Sequence, residues 1–166
     1  MKDSIAILSN SNFDYLKGLV RKYINGDIFC SEYNQFYQYF LETEKNIPKN
    51  VENLFIWPSP ETVSKSYKCI RNYENIDNNL IEEEIYLYSK RIIELSKIYQ
   101  NIFIPLFQEF EISAQSGIAD MNLFYGKDSN LLRMNFYLMQ NLKEEKNIHI
   151  LNSYKWFSDS NNPLDS

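Results

Sequence analysis

The stretch Ile5-Ala-Ile-Leu-Ser-Asn-Ser-Asn12, followed directly by the amphipathic run Phe13–Ile24, decides the fold of this chain. A short apolar segment stops at a cluster of small polar residues, and apolar residues then recur at helical spacing. This pattern predicts a strand, a turn and a helix. In open α/β sheets, ligands and catalytic residues collect at such turns, so Ser9, Asn10 and Ser11 are the first candidate site residues. The same residue types cap helices, and that alternative stays open.

The rest of the chain repeats this alternation of strand and helix. The predicted strands cover residues 4–8, 27–30, 53–57, 101–107 and 148–151. Between them, apolar residues recur at intervals of three and four, most regularly from Asn79 to Tyr99. Strands that alternate with helices form a parallel sheet with right-handed crossovers. The sequence therefore predicts a three-layer, doubly wound α/β domain with a mostly parallel, five-stranded sheet over residues 1–157, and a polar tail over residues 158–166.

Capping residues predict where several helices begin. Ser31 is expected to cap a second helix, whose apolar face would carry Tyr33, Phe36, Tyr37, Phe40 and Leu41. Ser59 followed by Pro60 is a strong start for a helix that would carry Val63, Tyr67 and Ile70. Asn79 and Glu82 are expected to form a capping box on the long helix. We interpret the acidic run 82–84 as a solvated first turn that suits the helix dipole, rather than as a metal site.

Composition and charge exclude several classes of function. The 166 residues carry a net charge of −5 without a block of Lys and Arg, which argues against a nucleic-acid binder. No apolar run approaches the roughly 20 residues of a membrane span, and no secretion signal precedes the first strand, so we expect a cytoplasmic protein without membrane contact. Cys30 and Cys69 lack the spacing of a zinc site. No GxGxxG or Walker motif is present, and we expect no metal and no cofactor.

The carboxyl ends of the predicted strands define the candidate site, because ligands bind at that edge of an open sheet. Besides the first turn, these ends are Cys30–Ser31, Pro58–Glu61, Phe107–Glu109 and Asn152–Ser153. From them we predict a ligand-binding set whose members are polar side chains at strand ends, namely Ser9, Asn10, Ser11, Ser59, Glu61 and Asn152.

Three segments taken together resemble the N-terminal, SGNH-hydrolase-like domain of FkbH-like proteins (HAD subfamily IIIC). They are the opening stretch with its helix, Glu32–Phe40, and Asn130–Asn135 running into Ile148–Ser153. The resemblance implies an SGNH-hydrolase or flavodoxin-like fold. It also implies two partners, a haloacid-dehalogenase (HAD) type phosphatase domain and an acyl carrier protein that receives a glyceryl unit. The phosphatase motif DxDx(T/V) is absent from these 166 residues, so that chemistry is not theirs.

The motifs of an active SGNH hydrolase are missing from the matching positions. Such enzymes place a nucleophilic Ser in a GDS turn, an Asn in a GxND turn, and the base in a DxxH turn. This chain has instead Leu8-Ser-Asn-Ser11, Trp57-Pro-Ser-Pro-Glu61 and Asn152-Ser-Tyr-Lys155. Its one histidine, His149, falls inside the fifth strand, so Ser9 and Ser11 are weak catalytic candidates without a visible base.

The sequence therefore favours an accessory, non-hydrolytic domain that binds a ligand or a partner and is not an enzyme on its own. Two alternatives stay open. One is a divergent SGNH esterase or acyltransferase that uses Ser9 or Ser11 as its nucleophile. The other is a flavodoxin-like module that binds a small molecule at the strand ends.

Overall fold

Five parallel strands form one sheet in this protein. The structure, a computed structural model, describes residues 4–13, 17–18, 20–72, 74, 77, 79–108, 121 and 126–155. The strands are β1 (Ile5–Ser9), β2 (Ile28–Cys30), β3 (Asn53–Trp57), β4 (Asn101–Pro105) and β5 (Ile148–Leu151). Their order across the sheet is β2-β1-β3-β4-β5, and every neighbouring pair is parallel.

Six helices have both ends within the described part of the chain, all of them after β2. They are α1 (Phe36–Leu41), α2 (Thr43–Asn46), α3 (Pro60–Val63), α4 (Lys65–Arg71), α5 (Asn79–Ser96) and α6 (Lys127–Leu142). The predicted doubly wound α/β fold is confirmed. Of the predicted first helix, Lys17, Gly18 and Val20 are described and helical. The predicted tail over residues 158–166 lies outside the described residues.

The main hydrophobic core lies between one face of the sheet and the helices. Side chains alternate between the two faces of a strand, so every second residue of β1, β3 and β4 points into this core. These residues are wholly buried: Ala6, Leu8, Leu54, Ile56, Ile102 and Ile104. The apolar face predicted for the long helix is confirmed, since all its members are buried against this layer: Ile81, Ile85, Tyr88, Ile92, Leu95 and Tyr99.

The prediction that Ser31 caps the second helix is wrong. Helix α1 begins only at Phe36, with Gln35 at the N-cap position. The hydroxyl of Ser31 bonds to the end of β1 instead, where two backbone groups need partners. Phe36 and Phe40, four residues apart, form the buried face of α1. The other residues of the predicted face are exposed: Tyr33 precedes the helix, and Tyr37 and Leu41 lie on its exposed side.

The helix predicted to follow Ser59 is two helices. Helix α3 begins as predicted, with Ser59 as N-cap and Pro60 in the first turn, but it ends at Val63. The extended residue Ser64 interrupts it and caps α4, its Oγ accepting a hydrogen bond of 2.9 Å from the N–H of Tyr67. The residues predicted to pack inward, Val63, Tyr67 and Ile70, are nevertheless buried.

Asn79 is the first residue of helix α5, so it is not the N-cap of the predicted capping box, and position 78 before it lies outside the described residues. The carboxylate of Asp77 accepts a hydrogen bond of 3.0 Å from the N–H of Asn79. Within the acidic run, Glu82 and Glu83 are exposed as predicted. Glu84 is half-buried and accepts hydrogen bonds from the Ser64 hydroxyl at 2.6 Å and from the Ser66 N–H at 3.2 Å. This carboxylate therefore ties α5 to the start of α4.

Two negative findings concern the described residues alone. No group of three or more His, Cys, Asp or Glu side chains among them is placed to hold a metal ion. In the same part of the chain, no helix has both the length and the apolar character needed to cross a bilayer.

Replacing Glu84 by Ala should destabilise the domain by about 1–2 kcal/mol, because the Ser64 hydroxyl and the Ser66 N–H lose a charged acceptor. Urea unfolding of the variant measures this loss. Glu83→Ala is the matched control, since Glu83 is exposed and one position away, and its effect should stay within about 0.5 kcal/mol. Equal losses in both variants would contradict the assigned role of Glu84.

Candidate functional site

A cavity lies where the order of the strands reverses. β1 has β2 on one side and β3 on the other. The connection from β1 to β2 and the connection from β2 to β3 therefore run in opposite directions across the sheet. Ligands usually bind at such switch points in open sheets. The cavity has a volume of about 240 Å³. The described residues that line it follow β1, β3 and β4: Ser9, Asn10, Ser11, Phe13, Trp57, Pro58, Ser59 and Gln108.

A second cavity, of about 360 Å³, lies beside the edge strand β2. Its lining includes Lys17, Asp27, Cys30 and Asn50. Asp27 and Asn50 precede β2 and β3, so part of this cavity faces the amino ends of the strands. The smaller cavity is the candidate site, because it alone of the two lies at the switch point.

The turn after β1 is held by serine hydroxyl groups. The Oγ of Ser9 accepts a hydrogen bond of 3.1 Å from the N–H of Ser11. Ser31, at the end of β2, accepts from the N–H of Ser9 and donates to its carbonyl, both at 3.0 Å. Ser9 is only 2 % exposed. Its hydroxyl group is thus a structural element of the turn, whereas the side chain of Ser11 is exposed.

The turns after β1 and β3 are joined by one side-chain amide. The Oδ1 of Asn10 accepts a hydrogen bond of 2.7 Å from the N–H of Ser59, and its Nδ2 donates to the Ser59 Oγ at 3.3 Å. The Ser59 hydroxyl is also 2.9 Å from the hydroxyl of Thr62 in α3. These hydrogen bonds engage the Ser59 hydroxyl, which therefore makes no capping bond to the backbone of α3. They also fix the positions of two residues that line the cavity, Asn10 and Ser59.

Two aromatic rings form the apolar part of the cavity lining. The rings of Phe13 and Trp57 are 5.4 Å apart between centroids and are tilted by 50°. Trp57 in turn meets the ring of Phe55, two residues earlier in β3, edge to face at 5.8 Å. Rings in such arrangements offer flat apolar surfaces whose position is fixed by their neighbours.

Gln108 brings an amide from the third strand into the cavity. It is 9 % exposed, and its side chain has no hydrogen bond within the part of the chain that the structure describes. The amide keeps access to the cavity, because Gln108 is not among the described residues that have a fully buried, unpartnered polar atom. It is therefore available to a molecule seated there.

The backbone just before Gln108 is held in place by α6. The Oδ1 of Asn135 accepts a hydrogen bond of 2.7 Å from the N–H of Phe107, and its Nδ2 donates to the Phe107 carbonyl at 3.0 Å. The hydroxyl of Tyr154 donates to the same carbonyl at 3.2 Å. Burial raises the pKa of this phenol above its ordinary value, so it keeps its proton and remains a donor near neutral pH. Gln108 therefore follows a rigid segment.

Two of the predicted ligand-binding residues lie apart from the described cavity lining. Glu61, in α3, forms an ion pair with Arg71 of α4. Asn152, which follows β5, is exposed. The structure brings together the other four, Ser9, Asn10, Ser11 and Ser59, and adds Gln108. The predicted strand end 107–109 includes Gln108, but nothing in its local sequence distinguishes it from a surface amide.

His149 is far from both candidate serines. Its ring stacks on Phe103 with centroids 5.0 Å apart, and its Nε2 lies 3.2 Å from the Oδ1 of Asn101, the first residue of β4. The register places His149 in the row of Phe103, Phe55 and Ile7, so three strand spacings separate it from β1, about 14 Å in all. The imidazole is held toward the amino ends of the strands and cannot serve as a base at the cavity.

Comparison with solved structures finds a protein that shares the fold of this chain. A structure described as the N-terminal part of the protein BF1531 from Bacteroides fragilis, containing a phosphatase domain and complexed with Mg, superposes with a TM-score of 0.66 at 15 % identity. The match covers 95 % of this chain and 42 % of the other, so this chain spans less than half of that structure. No protein-family model matches the sequence, and no curated protein matches it.

Replacing Asn135 by Ala should destabilise the domain by about 2–3 kcal/mol, because the buried N–H and carbonyl of Phe107 lose a partner. Chemical denaturation followed by circular dichroism measures this effect. Gln140→Ala, on the exposed side of the same helix, is the control and should change the free energy of unfolding by less than about 0.5 kcal/mol. A similar stability for the two variants would show that Asn135 does not hold this segment.

Proposed function

We propose that this chain is an accessory, non-hydrolytic SGNH-like domain that binds a small ligand at the carboxyl ends of its strands. One observation carries the proposal. The serine in the position of an SGNH nucleophile, Ser9, is buried and its hydroxyl holds the turn, while the one histidine of the chain, His149, lies in β5, three strands away from β1.

The chemistry of acyl transfer supports the same conclusion. A serine hydroxyl becomes a nucleophile only when a base lies within hydrogen-bonding distance. The described lining of the cavity contains hydroxyl, amide and aromatic groups and no acid or base. The N–H groups of Ser9 and Ser11, which could otherwise stabilise an oxyanion, already donate to serine hydroxyls.

The same features suit reversible binding. Side chains from three strand ends converge, and the hydrogen bonds of Asn10 and Asn135 hold their backbones. A site that is ordered before the ligand arrives loses less entropy on binding. The flavodoxin-like alternative, a small-molecule-binding module, shares this site and differs in having no partner domain.

The partner in this proposal is a HAD-type phosphatase domain. Its support is the structural neighbour, which contains a phosphatase domain and of which this chain covers 42 %. Such a partner follows in the same polypeptide or is a separate chain. The acyl carrier protein implied by the family resemblance stays a prediction.

A divergent esterase or acyltransferase that uses Ser11 is the second candidate. It is kept because Ser11 is exposed and lines the cavity. This alternative requires a base that reaches Ser11 from outside the described lining, and a reactive serine is the property that separates it from the first proposal.

Incubation with a fluorophosphonate probe should leave the folded protein unlabelled, because the described lining places no activating base beside Ser9 or Ser11. Hydrolysis of p-nitrophenyl acetate should be the same for the natural chain, Ser9→Ala and Ser11→Ala. An active SGNH hydrolase labelled in parallel controls the probe. Labelling that disappears in Ser11→Ala would establish the esterase alternative and refute the accessory role.

The partner is tested by the DNA that follows codon 166. A DxDx(T/V) motif, in frame or in an adjacent gene, is the expected result. An in-frame stop with no such motif in the neighbouring genes would contradict the proposed partnership while leaving ligand binding to be judged separately.

A further inference from the structure

We propose that the switch-point cavity binds one uncharged, ring-shaped molecule whose edge carries a hydrogen-bond donor and acceptor side by side, and that Gln108 recognises it. Sugar rings and neutral heterocyclic bases share this chemistry. The inference rests on the ligand-binding role proposed above, and it specifies which molecules the site accepts.

Gln108 supplies the first argument. The residue as a whole is 9 % exposed, it lines the cavity, and within the described residues its side chain makes no hydrogen bond. A carboxamide presents an acceptor oxygen and a donor nitrogen in one plane. The matching ligand edge presents a donor and an acceptor next to each other, as vicinal hydroxyl groups or the amide edge of a base do.

The lack of charge supplies the second argument. The cavity residues that the structure describes include no Asp, Glu, Lys, Arg or His. Glu61 lies two residues after Ser59 in sequence, but its charge is balanced by the ion pair with Arg71. A phosphate or carboxylate placed in the cavity would lose its hydration without gaining a counter-charge from the described lining, and this disfavours anionic ligands.

Shape and size supply the third argument. The rings of Phe13 and Trp57 offer flat surfaces against which the face of a ring packs. Drug-sized pockets measure about 300–1,000 Å³. At about 240 Å³, this cavity suits a single ring with its substituents and not a larger ligand.

Ligand-observed NMR and calorimetry on the full chain test the proposal with four probes. Methyl glucoside and uracil are the neutral probes, and they distinguish a sugar ring from a heterocyclic base. Glucose 6-phosphate and orotate, the 6-carboxylate of uracil, are their charged counterparts. We expect one neutral probe to bind and its charged counterpart to bind at least about tenfold more weakly. Failure of both neutral probes to bind, or equally strong binding of the charged counterparts, would overturn the proposal.

Substitution of the amide tests the role of Gln108. Gln108→Met keeps the approximate shape and removes both hydrogen-bonding groups, so the neutral probe should bind about tenfold more weakly. Gln140→Met is the matched control, because Gln140 is exposed on α6, and it should leave binding unchanged. Unaltered affinity in Gln108→Met would refute recognition by this residue.

Thermal unfolding separates recognition from a structural role. Removing an amide that has no partner should leave the melting temperature of unliganded Gln108→Met equal to that of the natural chain, or raise it. A fall comparable to that of Asn135→Ala would mean that Gln108 supports the fold, and the proposal would be wrong. Reversible binding of neutral rings and covalent labelling of serine are independent readouts. A failure of ring recognition by Gln108 is therefore distinguishable from a failure of the proposed accessory, non-hydrolytic role.

Discussion

The pairing of β1 with β3 is the constraint on which the rest of this structure depends. All five residues of Ile5–Ser9 are in register with Asn53–Trp57, and both strands have a neighbour on each side. Because the strands are parallel and in register, their carboxyl ends coincide, and the chain leaves them in two neighbouring turns. The reversal of strand order there leaves the space that becomes the cavity. The site is thus a direct consequence of topology.

The sequence allowed the strands and the buried face of the long helix α5 to be predicted well, because continuous apolar runs and helical spacing reflect burial directly. The sequence-based prediction failed where a polar side chain had two possible hydrogen-bond partners. Ser31 bonds to β1 rather than capping a helix, and Ser64 interrupts a helix that periodicity alone would continue. These choices depend on neighbours that are distant in sequence, such as Glu84, which no local pattern contains.

Four members of the predicted site share one cavity because turns after adjacent strands must meet, and the alternation of elements shows which turns these are. The rule that turns after adjacent strands meet does not predict that Glu61 and Asn152 lie apart from the cavity lining. Glu61 lies on a helical turn that faces Arg71, and Asn152 follows an edge strand two positions from β3. Gln108 was not singled out from the sequence, because its place on the cavity lining is visible only in three dimensions.

The Asn10–Ser59 hydrogen bonds join residues 49 positions apart, so the cavity cannot exist in any short fragment of the chain. Closing a loop of that length costs conformational entropy, which the contacts between β1 and β3 must offset before the cavity can form. Its lining comes from three strand ends, and a molecule seated there is bound only by the complete sheet. Occupancy would therefore stabilise the domain as a whole against unfolding, by mass action, rather than any single turn.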